Sequence, residues 1–124
     1  MNDTNDNKPY FSSIKADNKE SRLALFNALE SCDKLISECK GEKITVKDVY
    51  IEKYMKDGKE KFRTIIFDKD GKTFVTTSYG IVNALNKIFA LCGEPQTWSE
   101  PITVEIAERP LGNGKAALTL KVAA

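Results

Sequence analysis

The chain has 124 residues, 41% hydrophobic and 30% charged, with 19 basic against 18 acidic side chains, a net charge of +1 and no histidine. That length supports one modest core. The missing histidine excludes Ser-His-Asp and Cys-His machinery and removes the commonest general base. The near-zero charge excludes a uniformly basic protein, so a polyanion would have to be held by local charge.

Residues 1–9 are Asn/Asp-rich without an apolar run; they read as a disordered lead and not as a signal peptide. Residues 10–124 read as a single domain, with 10–42 as its N-terminal extension. Within that extension Leu25, Phe26, Leu29, Cys32 and Ile36 recur at helical spacing, yet residues 22–27 also suit a short strand, with a helical turn starting near Ser31–Lys34 and ending at Gly41. Both readings stand on the sequence. Cys32, Cys39 and Cys92 make neither a disulfide framework nor a zinc set, and three free thiols point to a reducing cytoplasm.

The next stretch is more informative. Ile44, Val46, Val49 and Ile51 fit one strand over Lys43 to Met55, and the apolar parity changes across Lys47 and Asp48. One extra residue does this, so a β-bulge is expected there. Asp57-Gly58 is a hairpin turn signal, Lys61 to Phe67 the second strand, Asp70-Gly71 a second turn and Lys72 to Ser78 the third strand. Residues 81–92 carry apolar side chains at helical spacing, stopped by Gly93. A loop from Glu94 to Pro101 holds the single tryptophan. Ile102, Val104 and Ile106 alternate as a fourth strand, Arg109 to Gly114 reads as a Gly-rich hairpin loop, and Ala116 to Val122 as a fifth strand. No stretch is long and apolar enough to span a membrane. The order β-β-β-α-β-β, with a bulged first strand, is that of a five-stranded OB-fold barrel. Such barrels bind ligands on the outer face of strands two and three and with the loops 1–2 and 4–5.

Charge is distributed to match. Residues 1–42 carry a net of −2, residues 43–72 a net of +3 and residues 73–124 a net of 0. Lys47, Lys53, Lys56, Lys59, Lys61, Arg63, Lys69 and Lys72 lie on the first hairpin and its continuation, and Arg109 and Lys115 flank the 4–5 loop. If Val49 and Ile51 face the core, Tyr50 and Tyr54 face out. If Thr64 and Ile66 face in, Arg63, Ile65 and Phe67 face out. If Val75 faces in, Phe74 faces out. An outward set of Tyr50, Tyr54, Phe67 and Phe74 interleaved with Lys53 and Arg63 would pair flat rings for bases with cations for phosphates. Trp98 either plugs the barrel end or stacks on a base. The competing account is a solvated hairpin that uses lysines to blunt a strand edge. Asp68 and Asp70 form a D-x-D-G segment, but Lys72 and Tyr79 stand where a calcium loop needs oxygen ligands, so turn chemistry explains it.

The segments ITVKDVYI (44–51), RTIIFDKDGKTFVTTSYGIVNAL (63–85), GEPQTWSEPITVEI (93–106) and GNGKAALTLKV (112–122) resemble the single-stranded DNA-binding proteins of tailed bacteriophages, including the protein-primed type. The resemblance runs from Phe26 to Val122 and implies a non-enzymatic OB-fold that coats single-stranded DNA during phage replication, needing no cofactor and no metal, in the host cytoplasm. Phage replication proteins are further expected partners; a membrane is not. The last residues, Lys121-Val122-Ala123-Ala124, differ from the acidic tail by which bacterial counterparts recruit partners, so tail-mediated recruitment is not expected. The residues expected to bind DNA are Lys53, Lys56, Lys59, Lys61, Arg63, Lys72, Arg109 and Lys115 for phosphates, and Tyr50, Tyr54, Phe67, Phe74 and Trp98 for bases. Two other readings compete: an OB-type protein-interaction module, whose mark would be exposed Ile65 and Leu111, and a small Mg²⁺ nuclease using Asp68 and Asp70.

Overall fold

The computed structural model describes residues 8–14 and 18–123. Of the expected disordered lead, residues 1–7 lie outside the described residues, whereas Lys8 and Pro9 open a strand, β1 (Lys8–Ser12). Helix α1 (Lys19–Glu30) follows, then a two-residue strand β2 (Lys34–Leu35) and a 3₁₀ turn at Ile36–Glu38. The helical reading of this region therefore holds and the strand at 22–27 does not. Asn18 starts α1 with a reciprocal cap: its side chain accepts from the Ser21 N–H at 2.8 Å, and Ser21 Oγ faces the Asn18 N–H.

The five strands expected from periodicity are present as β3 (Lys43–Lys56), β4 (Lys59–Asp68), β5 (Thr73–Thr76), β6 (Ile102–Gly112) and β7 (Lys115–Val122), with α2 (Tyr79–Cys92) between β5 and β6. They form one curled, open sheet in the order β2-β5-β4-β3-β6-β7, with β1 pairing the distal half of β3. Strands β1 and β2 are additions that periodicity did not suggest, because five and two residues are too few to show a pattern. The register of β3 on β4 slips between Val46 and Asp48, which is the expected bulge. At the β3–β4 tip Asp57 and Gly58 have φ of 53° and 74°, the doubly positive turn that suits strand twist. The expected six-residue loop over Arg109–Gly114 is instead a continuation of the strands around a two-residue turn, Asn113-Gly114; Arg109 pairs Ala117 and Pro110 pairs Ala116. Pro110 is tolerated beside a register shift that relaxes the ladder.

The core lies inside the curl, where Val49, Ile51 and Ile66 meet Ile81 and Leu85 of α2 and Ile106 of β6. Gly93, at φ 86°, ends α2. Trp98 closes this end of the core: it packs on Phe89 and its indole N–H donates to the carbonyls of Cys92 and Gly93.

A second, smaller buried group sits on the opposite side of the sheet. Tyr50 pairs Ile65 and Ile65 pairs Val75, so all three point away from the core. Yet Ile65 is 0% and Tyr50 6% exposed, and Ala28 of α1 is buried at 4%. Helix α1 lies across this outer face, with Ser21, Ala24 and Leu25 lining a shallow cleft against Lys47, Asp48 and Phe67. The chain leaving α1 is tied to β5 by Asp33, whose carboxylate accepts from the Thr73 N–H at 2.8 Å and the Thr73 hydroxyl at 3.1 Å.

Candidate nucleic-acid interface

The two hairpins place the cations. The β3–β4 arm rises beyond the core with Lys56, Lys59 and Lys61 around its tip. The β6–β7 arm extends past the start of β3, because Glu105 already pairs Lys43 and β6 runs on to Gly112; it carries Arg109 and Lys115. Lys72 follows the β4–β5 turn. Lys56, Lys59, Lys61, Lys72, Arg109 and Lys115 form no ion pair among the described residues, so their charge is available to an anion. The register sets the two arms at opposite ends of β3.

Lys53 and Arg63 differ. Lys53 pairs Phe62 across the strands, which puts it on the core-side parity instead of the outer one, and its ammonium meets Glu60 at 2.9 Å. Arg63 is on the outer face as expected, but its Nε lies 2.7 Å from Glu52, whose side chain is 7% exposed. A carboxylate so far out of water needs its counter-ion, and Arg63 is therefore committed to the fold.

The expected ring platform is not assembled. Phe74 pairs Ile66 and lies in the core at 5% exposure, because it is Val75 that faces out with Ile65. Tyr50 does point outward, but it is buried on the face that α1 crosses; burial pushes its phenol pKa up, helped by the nearby Glu52 carboxylate and opposed by Arg63. Phe67 is half-buried at the α1 cleft. Tyr54, on the hairpin arm beyond α1, keeps part of its ring in water. Trp98 takes the plug role.

Reasoning from periodicity missed three other rings. Tyr10 and Phe62 meet edge to face at 5.0 Å and Phe62 and Tyr79 at 5.6 Å. Phe62 shares the inward parity of Thr64 and Ile66 but sits one step beyond the core, so the signal was there; the approach of Tyr10 and Tyr79 to it was not.

The D-x-D-G segment is spent on its turn: the Asp68 carboxylate accepts from the Asp70 and Lys72 N–H groups at 2.8 and 2.9 Å. Among the described residues no group of carboxylates, cysteines and histidines is placed to hold a metal ion. No described helix is long and apolar enough to cross a membrane.

A curled, mostly β sheet with two projecting hairpins, whose cations form no ion pair among the described residues, has the form of a small binding module suited to an extended anionic ligand. The model of the phi29-type phage single-stranded DNA-binding proteins matches residues 4–123, and the chain belongs to that family, which is non-enzymatic. No curated protein and no solved structure matches it.

Proposed function

We propose that the chain coats single-stranded DNA with little sequence preference during phage DNA replication in the host cytoplasm, as an OB-type half-barrel whose two hairpin arms hold phosphates. The observation that carries this, on a chain of this family, is the set of six cations on or beside the hairpins that have no carboxylate partner among the described residues: Lys56, Lys59, Lys61, Lys72, Arg109 and Lys115. Arginine and lysine left unpaired on projecting backbone supply a sequence-independent grip, since every nucleotide offers the same phosphate. The rival protein-docking module is less well supported, because Leu111 is exposed but Ile65 is fully buried.

Titration of labelled oligo-dT at two salt concentrations tests the reading. Each phosphate contact contributes about −0.7 to the slope of log K against log salt for single strands, so six contacts predict a slope near −4, or about 300-fold weaker binding between about 50 and about 200 mM salt. Lys59→Gln should flatten the slope by about 0.7. No binding at micromolar protein in low salt refutes the function.

A further inference from the structure

The face on which OB-type barrels hold single strands is covered here. Ile65 and Tyr50, at its centre, are 0% and 6% exposed, on the face against which α1 lies. Bases cannot stack there while α1 is in place. Besides the lone Phe26 of α1, 58% exposed, exposed aromatic surface is found on the other side of the β3–β4 arm, between β1 and the first turn of α2. There Tyr10, Phe62 and Tyr79 form a row, and the two tyrosines are each 48% exposed. Met55, 53% exposed, shares the inward parity of Phe62 on that arm.

Three properties fit this row to a base-stacking role. The rings stand at 72° and 81° to one another, so each is braced edge-on by its neighbour. The Tyr79 hydroxyl donates to the Glu60 carbonyl at 2.5 Å, which ties α2 to the hairpin and fixes the ring. Rings already held lose little freedom when a base lands on them. One cation shares this side, Lys53 directly across from Phe62; Lys56, Lys59 and Lys61 have the outer parity of Tyr54 but ring the narrow tip of the same two-stranded arm. A half-exposed tyrosine pair tolerates water on one side while offering an apolar face on the other.

We propose that the bases of single-stranded DNA stack on the Tyr10–Phe62–Tyr79 row, with the phosphates held by the lysines of the β3–β4 arm. This rests on the reading that the chain binds single-stranded DNA. Lys53 exchanges Glu60 for a phosphate when DNA is bound, and α1 stays on the outer face.

The test is oligo-dT binding by Tyr10→Leu, Tyr79→Leu and Tyr79→Phe beside Tyr54→Leu on the outer face, with thermal melts as the folding check. Loss of one stack should weaken binding about 5-fold to about 150-fold in Tyr10→Leu and Tyr79→Leu, at an unchanged salt slope. Tyr79→Phe keeps the ring and should stay within about threefold of wild type. Tyr10 sits on an edge strand at half exposure, so Tyr10→Leu carries the test even if Tyr79→Leu melts. Row variants that bind like wild type, or a loss confined to Tyr54→Leu, overturn the row and leave the function standing. Wild-type protein that fails to bind overturns the function itself.

Discussion

Gly80→Ala should destabilise the protein although it replaces glycine by the best helix former. Gly80 is the second residue of α2 (Tyr79–Cys92). Alanine is favoured over glycine in a helix by about 1 kcal/mol, so local propensity predicts no loss, and at most a gain. The packing predicts a loss. A Cβ at Gly80 would stand 1.9 Å from the Leu118 carbonyl oxygen of β7 and 3.1 Å from its carbon, and contacts under 3.0 Å do not occur. The helix must retreat by about 1 Å from a strand held by its ladder to β6, and a backbone carbonyl cannot rotate away as a side-chain end would. Overpacking of this kind costs about 1–3 kcal/mol net, or roughly 3–5 °C of Tm per kcal/mol in a chain of this size. Gly58→Ala is the control: it meets nothing within 4 Å but has a φ of 74°, so it should cost about 1 kcal/mol through backbone strain alone. Urea titration of both variants measures the difference. A Gly80→Ala protein as stable as wild type, or more so, would refute the close approach of α2 to β7.

Arg63→Ala strands the Glu52 carboxylate and should cost about 2–4 kcal/mol in urea unfolding, below the range for fully buried pairs because Arg63 stays about a third exposed. Lys53→Ala breaks an exposed pair with Glu60 and should cost under about 1 kcal/mol; equal losses would contradict the burial of Glu52. Iodoacetamide at pH 8 should modify exposed Cys92 first and Cys39 last, since Cys39 is 1% exposed and burial raises its thiol pKa; peptide mass spectrometry showing equal rates would count against the packing of the turn at Ile36–Glu38. The hydrogen bonds from Thr73 lower the Asp33 carboxyl pKa, from its backbone N–H first and its hydroxyl second. The stabilisation is thus present above the unfolded value of about 3.9 and lost as pH falls through the lower folded value. Asp33→Asn should therefore be less stable than wild type at pH 7, with the gap closing in acid; a pH-independent gap would rule out the carboxylate as the cause.

Much of the fold was legible because it rests on local periodicity. The parity change between Val46 and Val49, the two Asp-Gly turns and the helical spacing over 81–92 each reflect short-range rules that hold wherever one face is buried. Strand ends were less legible. Arg109 to Leu111 looks like loop because of Pro110 and three nearby glycine or asparagine residues, yet the ladder continues through them. Phe74 and Val75 are both apolar, and only the pairing of Phe74 with Ile66 decides which faces in.

The same division runs through the binding surface. The amino-acid sequence by itself determined the mostly β class, the bulge, the family and the concentration of positive charge on residues 43–72, because these are properties of neighbours along the chain. Only the tertiary structure decided which rings are available. It buried Tyr50 and Ile65 on the face that α1 crosses, paired Arg63 with a buried Glu52, and brought Tyr10 and Tyr79 to Phe62 from positions 52 residues before and 17 residues after it. Exposure depends on what else packs against a face, and a pattern of period two is silent on that.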